Sequence, residues 1–167
     1  GVTSKSRDSV YLSGKEIERL FNIELESERL RRVRDAFLLG CLTGLRVSDY
    51  TQIKTENIQT VEHDGQGVKC LVRTTQKTKK KIVLPLTNPM LLKILERNNW
   101  QAPKAISNQK MNKYLRELCQ LVGFTEQIEI NEYRAGVHKT RILPKYELIG
   151  THTARRSFAT NAYKRGL

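Results

Sequence analysis

Cysteine, histidine, proline and acid are all scarce in this 167-residue chain, and each scarcity narrows what it can be. Three cysteines, Cys41, Cys70 and Cys119, stand far apart with apolar neighbours and no CxxC pair. That argues against a disulfide framework and for reduced, buried thiols in a cytoplasmic protein. Three histidines and three cysteines without ligand spacing make a zinc site unexpected. No apolar run approaches the roughly eighteen residues that a membrane span requires. The opening stretch lacks the apolar centre of a signal peptide. Internal repeats and low-complexity segments are missing as well. Acid is the most telling deficit. Seventeen Asp plus Glu against 30 Lys plus Arg leave a net charge of +13 and a pI near 9.9. Such a surplus calls for an anionic partner, nucleic acid before an anionic membrane surface.

What is present is helical periodicity around a short β-rich interval. Residues 1–10 are polar and read as an extended linker, with a single domain over 11–167. Ser13-Gly14-Lys15-Glu16 is a capping-box pattern opening a helix that buries Ile17, Leu20 and Phe21. A second helix starts near Ser27. It places Leu30, Val33, Phe37, Leu38 and Cys41 on a core face, ends at Gly44, and leaves Arg31, Arg32 and Arg34 to a solvated face. A short helix follows over 47–54. Residues 58–62 and 68–75 are rich in β-branched types and flank the turn signal His63-Asp64-Gly65-Gln66-Gly67. A basic turn over 76–80 leads to a third strand over 82–86, an edge strand ending at Pro85. Thr87-Asn88-Pro89 then supplies an N-cap and a first-turn proline for a helix carrying Leu91, Leu92, Ile94 and Leu95. Another helix covers 107–122, with Met111, Leu115, Leu118 and Val122 on one face and Gly123 as its stop. A second hairpin pairs 127–133 with 138–143 across Arg134-Ala135-Gly136. The last helix takes Thr151 as N-cap and docks through Phe158, Ala159 and Ala162. The class is α+β: a mostly helical single domain with a small three-stranded antiparallel sheet and a second β-hairpin.

Three stretches carry chemistry. The first is Thr43-Gly44-Leu45-Arg46-Val47-Ser48-Asp49, the second Gln76-Lys77-Thr78-Lys79-Lys80-Lys81, the third His152-Thr153-Ala154-Arg155-Arg156-Ser157-Phe158-Ala159-Thr160. His152 and Arg155 are i, i+3 neighbours and project from one helix face. A histidine and an arginine so placed suit a phosphate, although the segment alone is better described as a basic amphipathic helix. Planar, permanently charged guanidinium groups match the non-bridging oxygens of a phosphodiester better than an ammonium does. An imidazole titrating near neutrality suits proton transfer or a phosphate hydrogen bond.

In this order the three stretches resemble the catalytic domain of the tyrosine recombinases, the phage-integrase family, and most of all integrases of bacterial mobile elements. The resemblance covers about residues 10–167. It implies DNA recombination and integration by strand cleavage and rejoining through a 3′-phosphotyrosine, with no metal or other cofactor. It implies double-stranded DNA as partner, a tetramer of protomers on DNA, and no membrane. By position, the resemblance makes Arg46 the first catalytic arginine, Lys77 the hairpin lysine, and His152 and Arg155 the histidine–arginine pair. Asp49 becomes a supporting acid. Lys79, Lys80, Lys81 and Arg156 are DNA-binding candidates, with Lys79 the runner-up to Lys77.

Ordinary readings stand beside each assignment. Asp49 three residues after Arg46 fits a simple i, i+3 ion pair, and any of the hairpin lysines fits a plain backbone-phosphate contact. The family pattern continues with a second His or Trp and then the nucleophilic tyrosine, so the chain is expected to be a partial catalytic domain, inactive in covalent cleavage alone. Tyr163, eight residues after Arg155 and so ~12 Å further along a helix axis, is expected to pack rather than react. The competing functions are a non-catalytic DNA-binding module of the same fold, a basic RNA-binding domain and a type IB topoisomerase. The strands offer chiefly Tyr133 as a stacking aromatic, which argues against the RNA reading. The compact TGLRVSD and HTARRSFAT forms look more like an integrase than a topoisomerase.

Overall fold

Local chemistry sets where the helices start and stop, and the computed structural model, which describes residues 3–166, shows how they are then buried. Helix α1 spans Gly14–Asn22, opened by a complete capping box. Ser13 Oγ accepts from the Glu16 N–H at 3.2 Å, and Glu16 Oε1 accepts from the Ser13 N–H at 2.9 Å. Helix α2, Glu28–Thr43, is capped by Ser27 and ends on Gly44 at φ 74°, a left-handed conformation that glycine adopts without strain. Helix α3 is a single turn, Val47–Tyr50, rather than the longer helix the sequence suggests over 47–54. Asn88 caps α4, Pro89–Arg97, and Ser107 caps α5, Asn108–Val122, which Gly123 stops. Helix α6 covers Thr153–Lys164.

Two small sheets interrupt the helices. Strands β2 (Ile58–His63), β3 (Gln66–Thr74) and β4 (Lys81–Pro85) form an antiparallel meander in that order. Asp64 and Gly65 turn the first hairpin with φ of 49° and 76°, the twist that two-residue hairpin turns favour. Strands β5 (Gln127–Arg134) and β6 (Val137–Pro144) pair across a similar turn at Ala135 and Gly136. That hairpin has a third member invisible in the sequence pattern. Strand β1, Thr3–Lys5, pairs parallel to β5 in the register Lys5↔Ile130, giving the order β1-β5-β6. The expected α+β class, a helical body with one three-stranded meander and a second hairpin, is the observed architecture.

The core is built on α2, which packs against α1, α3, α4, α5 and α6. Arg31 and Arg32 are exposed as expected, but every residue from Val33 to Cys41 is buried, so beyond its first turns this helix has no solvated face. Arg34 is the casualty of the amphipathic reading: it is buried, with Nη1 donating to the Ile23 carbonyl at 2.6 Å and Nε to Asp35 Oδ1 at 3.2 Å. Burial lowers its pKa from the usual arginine value, with Asp35 acting in the opposite sense. Asp35 also accepts from Arg97 and from Asn98 Nδ2, so α2 and α4 share a polar seam inside the apolar body. All three cysteines are free and buried, and burial pushes the Cys119 thiol up to about 12. No helix among the described residues is long and apolar enough to cross a membrane.

Candidate active site

The segment leaving α2 is a polar turn locked by its own threonine. Thr43 Oγ1 donates to the Leu39 carbonyl at 2.6 Å and accepts from the Leu45 N–H at 3.3 Å. Gly44 then reverses the chain under Phe158 of α6, so closely that a β-carbon there would collide with the phenyl ring. Arg46 follows as the N-cap residue of α3, half-buried, its carbonyl accepting from the Asp49 and Tyr50 N–H groups. Its guanidinium makes no hydrogen bond or ion pair within the described residues.

Asp49 and Tyr50, the next turn of that short helix, face two different neighbours. Asp49 is fully buried. Its Oδ1 accepts from Arg73 Nε of β3 at 3.0 Å and from the Gln76 N–H at 3.0 Å. The alternative i, i+3 pairing with Arg46 is therefore not what the carboxylate does. Its second oxygen, Oδ2, is buried without a hydrogen-bond partner among the described residues. Arg73 completes the clasp by donating Nη1 to the Gln52 carbonyl at 3.2 Å. The residue after Gln76 is Lys77, so Asp49 grips the basic turn at its root.

Beyond that grip the turn closes on itself. The Thr75 N–H donates to the Lys80 carbonyl, the Lys79 N–H to the Thr75 carbonyl, and the Lys80 N–H to Thr75 Oγ1. Lys79 sits at φ 54°, an uncommon conformation for a residue with a side chain. The result holds Lys77, Lys79, Lys80 and Lys81 all exposed. Lys79 shares a polar depression with Ser48, Thr51 and Arg73 beside α3.

Tyr50 reaches the other way. It is fully buried, and its hydroxyl donates to the Thr151 carbonyl at 2.9 Å. Gly40 and Ala154 make the room for its ring. Burial drives the Tyr50 phenol far above the ordinary tyrosine range, so it stays neutral and works as a strut. Beyond Thr151 come His152, Arg155 and Arg156, all exposed and lining one depression with Asp8 and Ala159. The helix pair His152 and Arg155 is thus presented on one face, as its spacing requires.

Several details of α6 differ from the sequence reading. Thr151 does not cap the helix: its hydroxyl donates to Asn108 Oδ1 at 2.9 Å and its N–H to Asn112 Oδ1 at 2.8 Å. Thr153 serves the turn instead, accepting from the Gly150 N–H at 3.0 Å. Of the expected docking residues, Phe158 packs over Gly44 and Ala162 is half-buried but Ala159 is exposed, and the fully buried face is Thr153, Ala154 and Ser157. The reason is polar. Ser157 Oγ accepts from the Leu12 N–H at 2.9 Å and Asn161 Nδ2 donates to the Leu12 carbonyl at 3.0 Å, satisfying a buried peptide that hydropathy cannot see. Tyr163 is 82% exposed, against the expectation that it would be a packing residue.

Arg46 and Asp49, the lysine turn, and His152 with Arg155 thus lie on three elements that meet at α3. Arg73, Tyr50 and the Leu12 clasp escaped the sequence reading. Arg73 sits in a strand where an arginine reads as solvent-facing, and Tyr50 had no motif to mark it. Against models of known families, residues 10–167 match the one described as the phage integrase family. No curated protein and no solved structure gave a match.

Proposed function

We propose, from the premise that this chain belongs to the phage integrase family, that it carries the phosphate-binding part of a DNA strand-exchange site. Family membership supports site-specific DNA recombination as its general activity and DNA as its substrate. The finer reading assigns Arg46 and Arg155 to the non-bridging oxygens of the scissile phosphate. Lys77 is the proton donor to the leaving 5′-hydroxyl, and His152 a proton-transfer or hydrogen-bonding group. The observation that carries it is the double attachment of α3: Asp49 holds the root of the Lys77 turn while Tyr50 holds the backbone beside His152.

In-line displacement at phosphorus gathers negative charge on oxygens whose positions are fixed by the DNA. Pre-oriented donors aimed there contribute about 3 kcal/mol each, and more when water is excluded. Arg46, with no ion pair of its own, is free to engage such an oxygen. Lys77 stands on a turn whose backbone is closed but whose side chain is exposed, which suits a group that reaches a leaving oxygen only when DNA is seated. The attacking hydroxyl is not assigned to any tyrosine described. Tyr50 is buried and engaged, and Tyr163 lies ~12 Å along the helix axis from Arg155. We assign attack, and the resulting 3′-phosphotyrosine, to a tyrosine contributed from outside these residues, in an assembly of four protomers on DNA.

The test is a protein carrying that tyrosine, incubated with a duplex nicked so that the adduct is trapped. Arg46→Ala and Arg155→Ala should each lose the covalent adduct by a hundredfold or more, on the order of one lost oxyanion donor, while duplex binding persists. Full adduct formation by either variant would overturn the roles given to these arginines. Binding without an adduct in the unmodified protein would favour a DNA-binding module that kept the fold and lost the chemistry.

A further inference from the structure

The β5–β6 hairpin projects residues that neither the core nor the candidate clamp uses. Strand β6 is the outer strand of its sheet, and Val137 to Ile142 are all exposed. Tyr133 is 77% exposed, its ring 4.9 Å from that of His138, across the strand pair. Arg134, Lys139 and Arg141 are exposed on the other face of the hairpin, the face of Glu132. Asn131 Oδ1 accepts from Thr140 Oγ1 at 3.1 Å and lies 3.1 Å from His138 Nε2, so the pair is braced on the Tyr133 face.

Of the two acids near this surface, Glu132 is already answered, while Asp8 is exposed. Arg7 donates both Nε and Nη2 to Glu132 Oε1, at 3.2 and 2.9 Å. The bond from Arg7 holds the Glu132 carboxyl below the usual glutamate range. What the hairpin presents outward is therefore net positive. Its placement matters equally. Asp8 lines the depression with His152, Arg155 and Arg156, and also the neighbouring one with Arg7, Tyr133, Arg134 and Arg141. The hairpin surface adjoins the clamp.

The geometry points to the β5–β6 hairpin as a second contact for duplex DNA, in which Arg134 and Arg141 engage phosphates flanking the one held at His152 and Arg155. This rests on the DNA-cleaving reading above. Eight-residue strands at ~3.3 Å per residue reach ~26 Å, comparable with a DNA helical turn of ~34 Å. A hairpin of that length can follow backbone leaving the clamp. Arginines suit it because the guanidinium fork grips phosphate in a fixed orientation. Glu132, tied to Arg7, adds little repulsion.

Salt dependence of duplex binding tests it, using the chain itself, an Arg134→Ala/Arg141→Ala double variant and an Arg155→Ala variant. Each phosphate contact contributes about 0.9 to the slope of log affinity against log salt. Losing two should make the slope shallower by about 1.8, so the affinity drop between 50 and 200 mM salt shrinks about twelvefold. Both arginines are exposed, so an unchanged thermal midpoint verifies that the fold is intact. An unchanged slope in the double variant, with Arg155→Ala still shallower than the parent, would overturn the hairpin contact and leave the clamp standing. Altered self-association with an unchanged slope would overturn it in favour of a protein interface. Salt-independent binding by the parent chain would overturn the clamp and the hairpin together.

Discussion

Asp49 shows how much a single side chain can organise. With one oxygen it neutralises Arg73 and fixes the Gln76 amide, and so positions a lysine it never touches. Replacing it by alanine leaves Arg73, only 15% exposed, without a counter-charge. We expect Asp49→Ala to lose about 3 kcal/mol of unfolding free energy in urea titration, the scale for breaking a largely buried pair. A loss below half a kilocalorie would show that the clasp does not form in solution. Tyr50→Phe is milder. It removes one hydrogen-bond donor from the Thr151 carbonyl and should cost about 1 kcal/mol. Its specific signature should be a change in the His152 ring resonances, which a purely local packing loss would not produce. Legibility at this scale followed the motifs. Arg46, Lys77, His152 and Arg155 stand out as candidates only because their three stretches, taken in order, resemble a family pattern. Arg34, Arg73 and Tyr50 do not, because their roles depend on which neighbours arrive from far along the chain.

At the scale of elements, caps and turns were legible because each is set by a few consecutive residues. Ser13 with Glu16, Ser27, Asn88 with Pro89, Ser107 and the glycines at 44 and 123 all behave as their local chemistry dictates. Burial was less legible. An amphipathic pattern assigns a helix one wet face, whereas α2 is surrounded by five helices and hides its ions in a seam. The parallel partner β1 was unreadable for a related reason: its pairing with β5 spans more than a hundred residues. The Arg7–Glu132 bond just beyond β1 gives a pH test. Because the folded pKa of Glu132 lies below its unfolded value, the bond's contribution is complete above the ordinary glutamate range and fades as pH falls through the lowered value. In Arg7→Ala the Glu132 carboxyl should titrate upward towards the usual range, read by its side-chain carbon resonance. An unmoved titration would mean the pair is not closed in water. Helix packing gives a second test. Gly40→Ala should gain about 1 kcal/mol of helix propensity, yet lose roughly 1–3 kcal/mol to overpacking. Its new methyl would lie 2.6 Å from the Tyr50 ring and 2.7 Å from the Ala154 Cβ. Net destabilisation in thermal melts, relieved in a Tyr50→Leu background, is the expected pattern.

The whole molecule is a positively charged body whose basic turn and α6 cluster are tied to one short helix. Charge alone pointed to nucleic acid and the sequence to a basic turn; the fold adds that Lys79 and Lys80 sit in a closed turn, with Lys81 opening β4, rooted on the buried acid of α3. Each of Lys79→Ala, Lys80→Ala and Lys81→Ala should flatten the salt dependence of duplex binding by up to about 0.9. A variant with the parent's slope identifies a lysine that faces away from DNA.

The crowding of Gly40, Tyr50 and Ala154 also bears on descent. Two consecutive helices and a third more than a hundred residues further along the chain share one small volume. Lineages that keep this arrangement cannot drift at those positions one at a time. Bulk acquired at 40 must be surrendered at 50 or 154, and a lost Tyr50 hydroxyl leaves the Thr151 carbonyl to find another donor. Among homologous sequences, these three columns should therefore vary together or not at all.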